Sequence, residues 1–374
     1  MTQIDDVTSP TDASDASSAS SAGNAHAAPD RERSRRERWL SPQGAARERL
    51  EKWVKRLAAI SAFGMFLVLM QGTMVTTTGS GDGCGNSWPL CHGEFIPQYT
   101  VATAIEYSHR LVTSLESFFI MATAIGGLIL WRNRIEMRIL IPMTVFFLLL
   151  QAGLGAAAVM WPTSDEVMAL HFGISLTAFA STLILATLAY GMKTFDTRRD
   201  LGIPKKLAWL AWGLLGYTWV VVYLGAYTRH TEANLACLDW PLCNGSVFPG
   251  FSGPVGTVFT HRIAAFVLVL GMIALVAWTW KIRDWRPDLF WSSNIALALV
   301  LIQSMAGAAV VWSRMDVFAT LSHGIFVSLY WGVLAFMAFQ SLPRPAIAKR
   351  EIPTEHRVSA NPSLGQPVPA GVGD

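Results

Sequence analysis

Four histidines lie inside long apolar runs: His109, His171, His261 and His323. The first two are separated by 62 residues and so are the last two (171 − 109 and 323 − 261). Ionisable groups inside apolar spans are rare and tend to be functional. A lone buried histidine is usually a satisfied core residue, but four at one repeated spacing are poorly described that way. Two imidazoles at one depth on neighbouring helices can hold a single metal. Haem is the natural guest, because its flat apolar ring fits between the helices of a bundle and its iron accepts axial histidine. Zinc or copper would call for further N or S ligands, and the sequence brings none to these positions.

Other polar residues follow the same positions. Arg110 and Arg262 come directly after His109 and His261. A guanidinium near the interface either grips haem propionates, as it grips any carboxylate, or snorkels to headgroups. Glu106 precedes His109 by three residues and so shares its helix face. The corresponding stretch before His261 has Val258 instead. A carboxylate beside only one site could move protons or stabilise a cation there; as a plain helix N-terminal acid it would only favour the dipole. The asymmetry suggests chemistry in the first half and a permanently held haem in the second. Gln151 and Gln303 read as glue between helices or as groups near a haem.

These residues need spans to position them. The chain is 52% hydrophobic and 15% charged, with mean hydropathy +0.37; soluble proteins carry about 25% charged residues. Eight runs reach the roughly 20 apolar residues that cross a bilayer as helix: about 56–76, 102–131, 139–161, 166–192, 206–228, 256–280, 289–312 and 316–340. The N-terminal tail, 131–138, 193–206, 281–286 and the C-terminal tail hold 25 of the 29 Lys and Arg. By the positive-inside rule both termini are cytoplasmic, and the loops 77–101 and 229–255 face outward. All four cysteines lie in those loops, Cys84 with Cys91 and Cys237 with Cys243, on the side where disulfides persist. Their spacing fits neither a zinc ribbon nor a CxxC redox motif, which leaves a structural staple or a redox-active pair. The tail before residue 53 is rich in Ser, Ala and Asp and reads as disordered. Its acids argue against a mitochondrial transit peptide. The end from 341 is again polar and Pro-rich.

The halves repeat at a shift of 152 residues. Trp88-Pro89-Leu90-Cys91 recurs as Trp240-Pro241-Leu242-Cys243, His109-Arg110 as His261-Arg262, and Gly155-Ala156-Ala157 as Gly307-Ala308-Ala309. Four helices separate the copies, so both point the same way through the membrane. The expected fold is therefore all-α and integral to the membrane, as two pseudo-symmetric four-helix bundles about an axis along the membrane normal.

The sequence resembles the haem A synthase family over about 53–340. The resemblance rests on Cys84-Gly-Asn-Ser-Trp-Pro-Leu-Cys91, Glu106-Tyr-Ser-His-Arg110, His171, Thr260-His261-Arg262 and His323. It implies a substrate, haem O, already carrying its farnesyl chain. It implies oxidation of the ring C8 methyl to a formyl group, through successive hydroxylations and loss of water, to give haem A for cytochrome oxidase. It implies His109 and His171 holding the substrate haem, Glu106 as the catalytic carboxylate, and His261 with His323 holding a haem b that carries electrons. Cys84 and Cys91 match a cysteine pair placed over the substrate site in many members, whereas some lack the pair at Cys237 and Cys243. The expected organisation is a disordered cytoplasmic tail (1–52), a substrate-haem half (53–192), a cytoplasmic linker (193–205), a haem b half (206–340) and a second disordered tail (341–374). The setting is a bacterial plasma membrane. Haem O synthase and oxidase assembly factors would be neighbours in the pathway, and nothing calls for nucleic acid. The rival reading is a di-haem b-type electron-transfer cytochrome, which makes no new molecule.

Overall fold

The computed structural model describes residues 44–343, and the long elements among them are all helices. They are α1 (Ala45–Thr77), α2 (Val101–Trp131), α3 (Ile135–Met160), α4 (Asp165–Asp200), α5 (Lys205–His230), α6 (Gly253–Trp280), α7 (Pro287–Trp312) and α8 (Val317–Gln340). All eight are long and apolar enough to cross a membrane. Helix is the physical answer to such sequences, since lipid offers the backbone no partner outside its own segment. The expectations for 1–43 and 344–374 lie outside the described residues.

Two helix ends differ from the expected spans. α1 begins at Ala45, so 45–52 is helix rather than disordered tail. α4 continues to Asp200, which shortens the expected 193–205 linker to 201–204. An apolar run marks where lipid begins, not where helix begins, and polar turns stay helical when their charges find partners. Glu51 pairs with Lys55 at 2.7 Å one turn on. The last turns of α4 are tied to the start of α3: Asp196 to Arg134 at 2.6 Å and Arg199 to Glu136 at 3.0 Å. Arg199 also donates from Nε to the Leu342 carbonyl at 3.0 Å, which fixes the chain just beyond α8.

Within each half, α3 packs on α4, α5 on α6 and α7 on α8. α4 is the most thoroughly buried span and packs against both α5 and α8. Indole donors bond across this contact: Trp331 Nε1 to the Leu176 carbonyl at 2.9 Å, and Trp219 Nε1 to the Gly173 carbonyl at 3.3 Å. The basic end carries buried ion pairs. Arg286 is wholly buried, with Asp288 at 3.0 and 2.9 Å and the Gln340 carbonyl at 3.0 Å. The other end carries the two cysteine loops.

Arg199→Ala leaves the buried Glu136 without its counter-charge. Removing one partner of a buried ion pair typically costs about 3–5 kcal/mol. Thermal unfolding of the detergent-purified variant should show a clearly lower Tm; an unchanged Tm would show that this pair does not hold α4 to α3.

Candidate functional site

The four histidines occupy matching places on their helices. His109 and His261 come eight residues after the first residues of α2 and α6 (109 − 101 and 261 − 253), and His171 and His323 six after those of α4 and α8 (171 − 165 and 323 − 317). All are therefore about two turns from the cysteine-loop end. His171 is close enough to His109, and His261 to His323, for their charges to interact.

Each imidazole faces a glycine on the preceding helix. A Cβ built on Gly72 of α1 would stand 3.5 Å from His109 Cε1, and one on Gly155 of α3 at 3.5 Å from His171 Cε1. In the second half, Gly225 of α5 and Gly307 of α7 face His261 and His323 more closely, at 2.7 and 3.1 Å. The small-residue runs at 155–157 and 307–309 thus contribute directly to the histidine environment. Gly72 and Gly225 carry no comparable signal, because they stand 37 and 36 residues before their histidines (109 − 72 and 261 − 225).

The ring nitrogens differ between halves. His109 Nδ1 and His171 Nδ1 are buried without a hydrogen-bond partner, which is unusual for buried polar atoms. His261 Nδ1 donates to the Val221 carbonyl at 3.1 Å. That bond leaves Nε2 as the electron-pair donor, the arrangement typical of a metal-ligating histidine. The Gln303 amide nitrogen lies 3.1 and 3.0 Å from the two ring nitrogens of His323. Gln151, its counterpart, instead donates to Met65 Sδ at 3.7 Å. Among the described residues no group of three or more His, Cys, Asp or Glu could hold a metal. Paired imidazoles against glycine-lined faces suit a haem, whose ring supplies the remaining ligands of the iron.

Both cysteine pairs are disulfides, with Cα–Cα distances of 4.6 Å for Cys84–Cys91 and 4.7 Å for Cys237–Cys243. The two loops differ by one residue, since the pairs are separated by 7 and 6 positions. The repeat shift is accordingly 153 up to the first cysteine (237 − 84) and 152 from Trp88 and Trp240 onward (240 − 88).

Arg110 and Arg262 turn to these loops. Arg110 Nη1 donates to the carbonyls of Ser87 at 2.6 Å and Leu90 at 2.9 Å, and Nη2 pairs with Glu106. Arg262 donates to the carbonyls of Leu242 and Cys237. Each loop closed by a disulfide offers carbonyl oxygens that lack a ladder partner, and the arginine satisfies them. Five N–H donors per guanidinium leave two on Arg110 and three on Arg262.

Glu106 is buried, with 3% of its surface exposed. Its Oε2 accepts from the Cys84 backbone N–H at 2.8 Å while Oε1 faces Arg110. Thr100 caps α2 just before it, accepting from Thr103 N at 3.1 Å. The acid therefore joins the first disulfide loop to the helix that carries His109. In the second half Val258 fills the helix position, and the charge of Asp239 in the loop acts on Arg262. Backbone N–H donors of Gly245 and Asn244 hold the Asp239 carboxyl below its usual range.

The family described as Cytochrome oxidase assembly protein (COX15-CtaA) matches residues 55–335. The chain belongs to this family. Its relatives include proteins named Heme A synthase. That of Bacillus licheniformis is 40% identical over 293 residues, covering 77% of this chain and 95% of the relative. That of Symbiobacterium thermophilum is 38% identical, covering 78% and 97%. That of Geobacillus kaustophilus is 35% identical, covering 86% and 99%. The family match reaches all eight helices and both histidine pairs, beginning ten residues into α1 and ending five residues short of the end of α8.

Gly225→Ala places a methyl where no side chain fits beside His261, whereas Gly72→Ala meets His109 at ordinary contact distance. If His261 holds a haem, the first should weaken its retention by tenfold or so for a displacement cost of about 1–3 kcal/mol. The second should leave haem content near normal. Pyridine haemochrome assays of both purified variants check this.

Proposed function

We propose that this protein is a haem A synthase of a bacterial membrane, oxidising the C8 methyl of haem O to the formyl group of haem A. The observation that carries the reading is the asymmetry of two otherwise matching histidine sites: an acid, Glu106, stands beside the first and Val258 beside the second. Family membership and relatives named Heme A synthase support it.

In this reading His109 and His171 hold the substrate haem O from either side, and their unpartnered nitrogens support that role. Methyl to aldehyde is a four-electron oxidation at one carbon: two successive hydroxylations, each giving up two electrons to an external electron acceptor or dioxygen, lead through a hydroxymethyl group to a geminal diol, which loses water to give the aldehyde. Glu106 is the catalytic carboxylate. It is positioned by the Cys84 N–H and charge-balanced by Arg110. A fixed negative charge there favours positive charge developing at the reacting carbon, and the carboxylate can also accept a proton. The Cys84–Cys91 loop, clamped by Arg110, covers this end of the site and limits access of water. The donors left on Arg110 and Arg262 suit haem propionates.

His261 and His323 suit a resident haem b, with the Val221 carbonyl orienting one ligand and Gln303 contacting the other. When bound, that group supplies one-electron transfer. The cysteine-loop end faces outward and both termini face the cytoplasm, as the charge distribution supports. Haem O synthase is the natural neighbour upstream.

Pigments extracted from the purified protein should contain haem b together with haem O or haem A, distinguished by mass. Two copies of haem b alone would favour an electron-transfer cytochrome. Glu106→Ala should lower haem A formation by about 100-fold or more, the usual worth of an acid–base or electrostatic group, while haem b stays bound. Undiminished haem A from that variant would remove Glu106 from the chemistry.

A further inference from the structure

A second carboxyl sits deeper on the same face as His109. Glu116 follows it by seven residues, two helical turns further from the cysteine loops, or about 10 Å. It is 3% exposed and lies in the middle of an apolar span. Its Oε1 is buried without a hydrogen-bond partner. The α1 position facing it is Gly64, where any side chain would collide with the carboxyl. Gln71, seven residues along the same stripe of α1, has an unpartnered buried Oε1 as well.

The second half is an internal control. The counterpart of Glu116 is Leu268 (116 + 152), packed in the apolar core. The counterpart of Gln71 is Leu224 (71 + 153), packed against that core. Both positions are apolar where the scaffold holds a permanent guest and polar where the guest is exchanged. A carboxyl in lipid without a partner is costly, and a scaffold that works with leucine has no structural need of it.

We propose that Glu116 is a specificity-determining residue that hydrogen-bonds the alcohol on the isoprenoid-bearing side chain of the substrate haem. The inference rests on the functional reading above. Propionates are charged and belong at the interface, at the cysteine-loop end. The opposite edge of the ring, which carries the isoprenoid side chain, then points into the bilayer toward Glu116. That side chain joins the ring through a carbon bearing an alcohol. Haem B has a vinyl group there and nothing to bond. A carboxyl bonds an alcohol in either protonation state. A site built for a hydroxyl rejects an analogue lacking it, because its own polar group is left unpaired.

The test titrates haem O and haem B separately into purified full-length protein that retains its second-half haem, scoring bound pigment by mass. Wild type should prefer haem O. Glu116→Leu, the residue of the other half, should weaken haem O at least tenfold or so and leave haem B unchanged or tighter. Glu116→Gln should keep most of the preference. If the Leu variant loses the second-half haem, haem O dehydrated to the alkene at that carbon makes the same comparison on wild type and should bind at least about tenfold more weakly. An unchanged haem O to haem B ratio in Glu116→Leu, or equal binding of the alkene, overturns the assignment. A wild type that binds haem O but never forms haem A would sink the functional reading, and with it this one.

Discussion

A titratable or polar side chain inside an apolar span has no water to turn to, and this constraint organises the molecule. Where the chain can supply a partner, it does. Arg199 meets Glu136 and Arg286 meets Asp288 at the basic end, and Arg110 meets Glu106 at the other. Where it supplies none, polar atoms stay unsatisfied: in the first half on His109, His171, Glu116 and Gln71, and in the second on Arg229, Gln303 and Gln340. The first-half deficit is most simply met by a guest that brings an iron and polar substituents of its own.

The halves share a scaffold and differ in what lines it. Glycine opposite histidine and arginine clamping a disulfide loop occur in both. These features set depth and spacing for a flat ligand without choosing what happens to it. Among the differences are three polar residues of the first half with apolar counterparts in the second: Glu106 against Val258, Glu116 against Leu268, Gln71 against Leu224. In the second half His261 is satisfied by the Val221 carbonyl.

The Glu106–Arg110–Cys84 connection ties the helix of His109 to the first disulfide loop. One carboxylate holds both the clamp of the loop and the loop's first cysteine. Reduction of that disulfide would loosen the support of the acid as well as the cover. In the second half the acid has moved into the loop as Asp239, where it braces the turn at Asn244 and Gly245 and leaves the histidine face apolar.

Sequence alone determined the eight spans, their alternation, the repeat, the histidine pairs and the lone Glu106, because hydropathy, charge and periodicity are local and survive without coordinates. Helix ends were less legible: Ala45 to Lys52 and the last turns of α4 are polar, and only partners on other elements keep Asp196 and Arg199 helical. Gly72 and Gly225 gained meaning only when α1 and α5 were laid against His109 and His261. The use of Arg110 and Arg262 was likewise decided in three dimensions, since a guanidinium takes the carbonyls that the folded loop presents. Glu116 was not singled out from the sequence; that its Oε1 lacks a partner is a property of its surroundings, which no reading along one strand of residues contains.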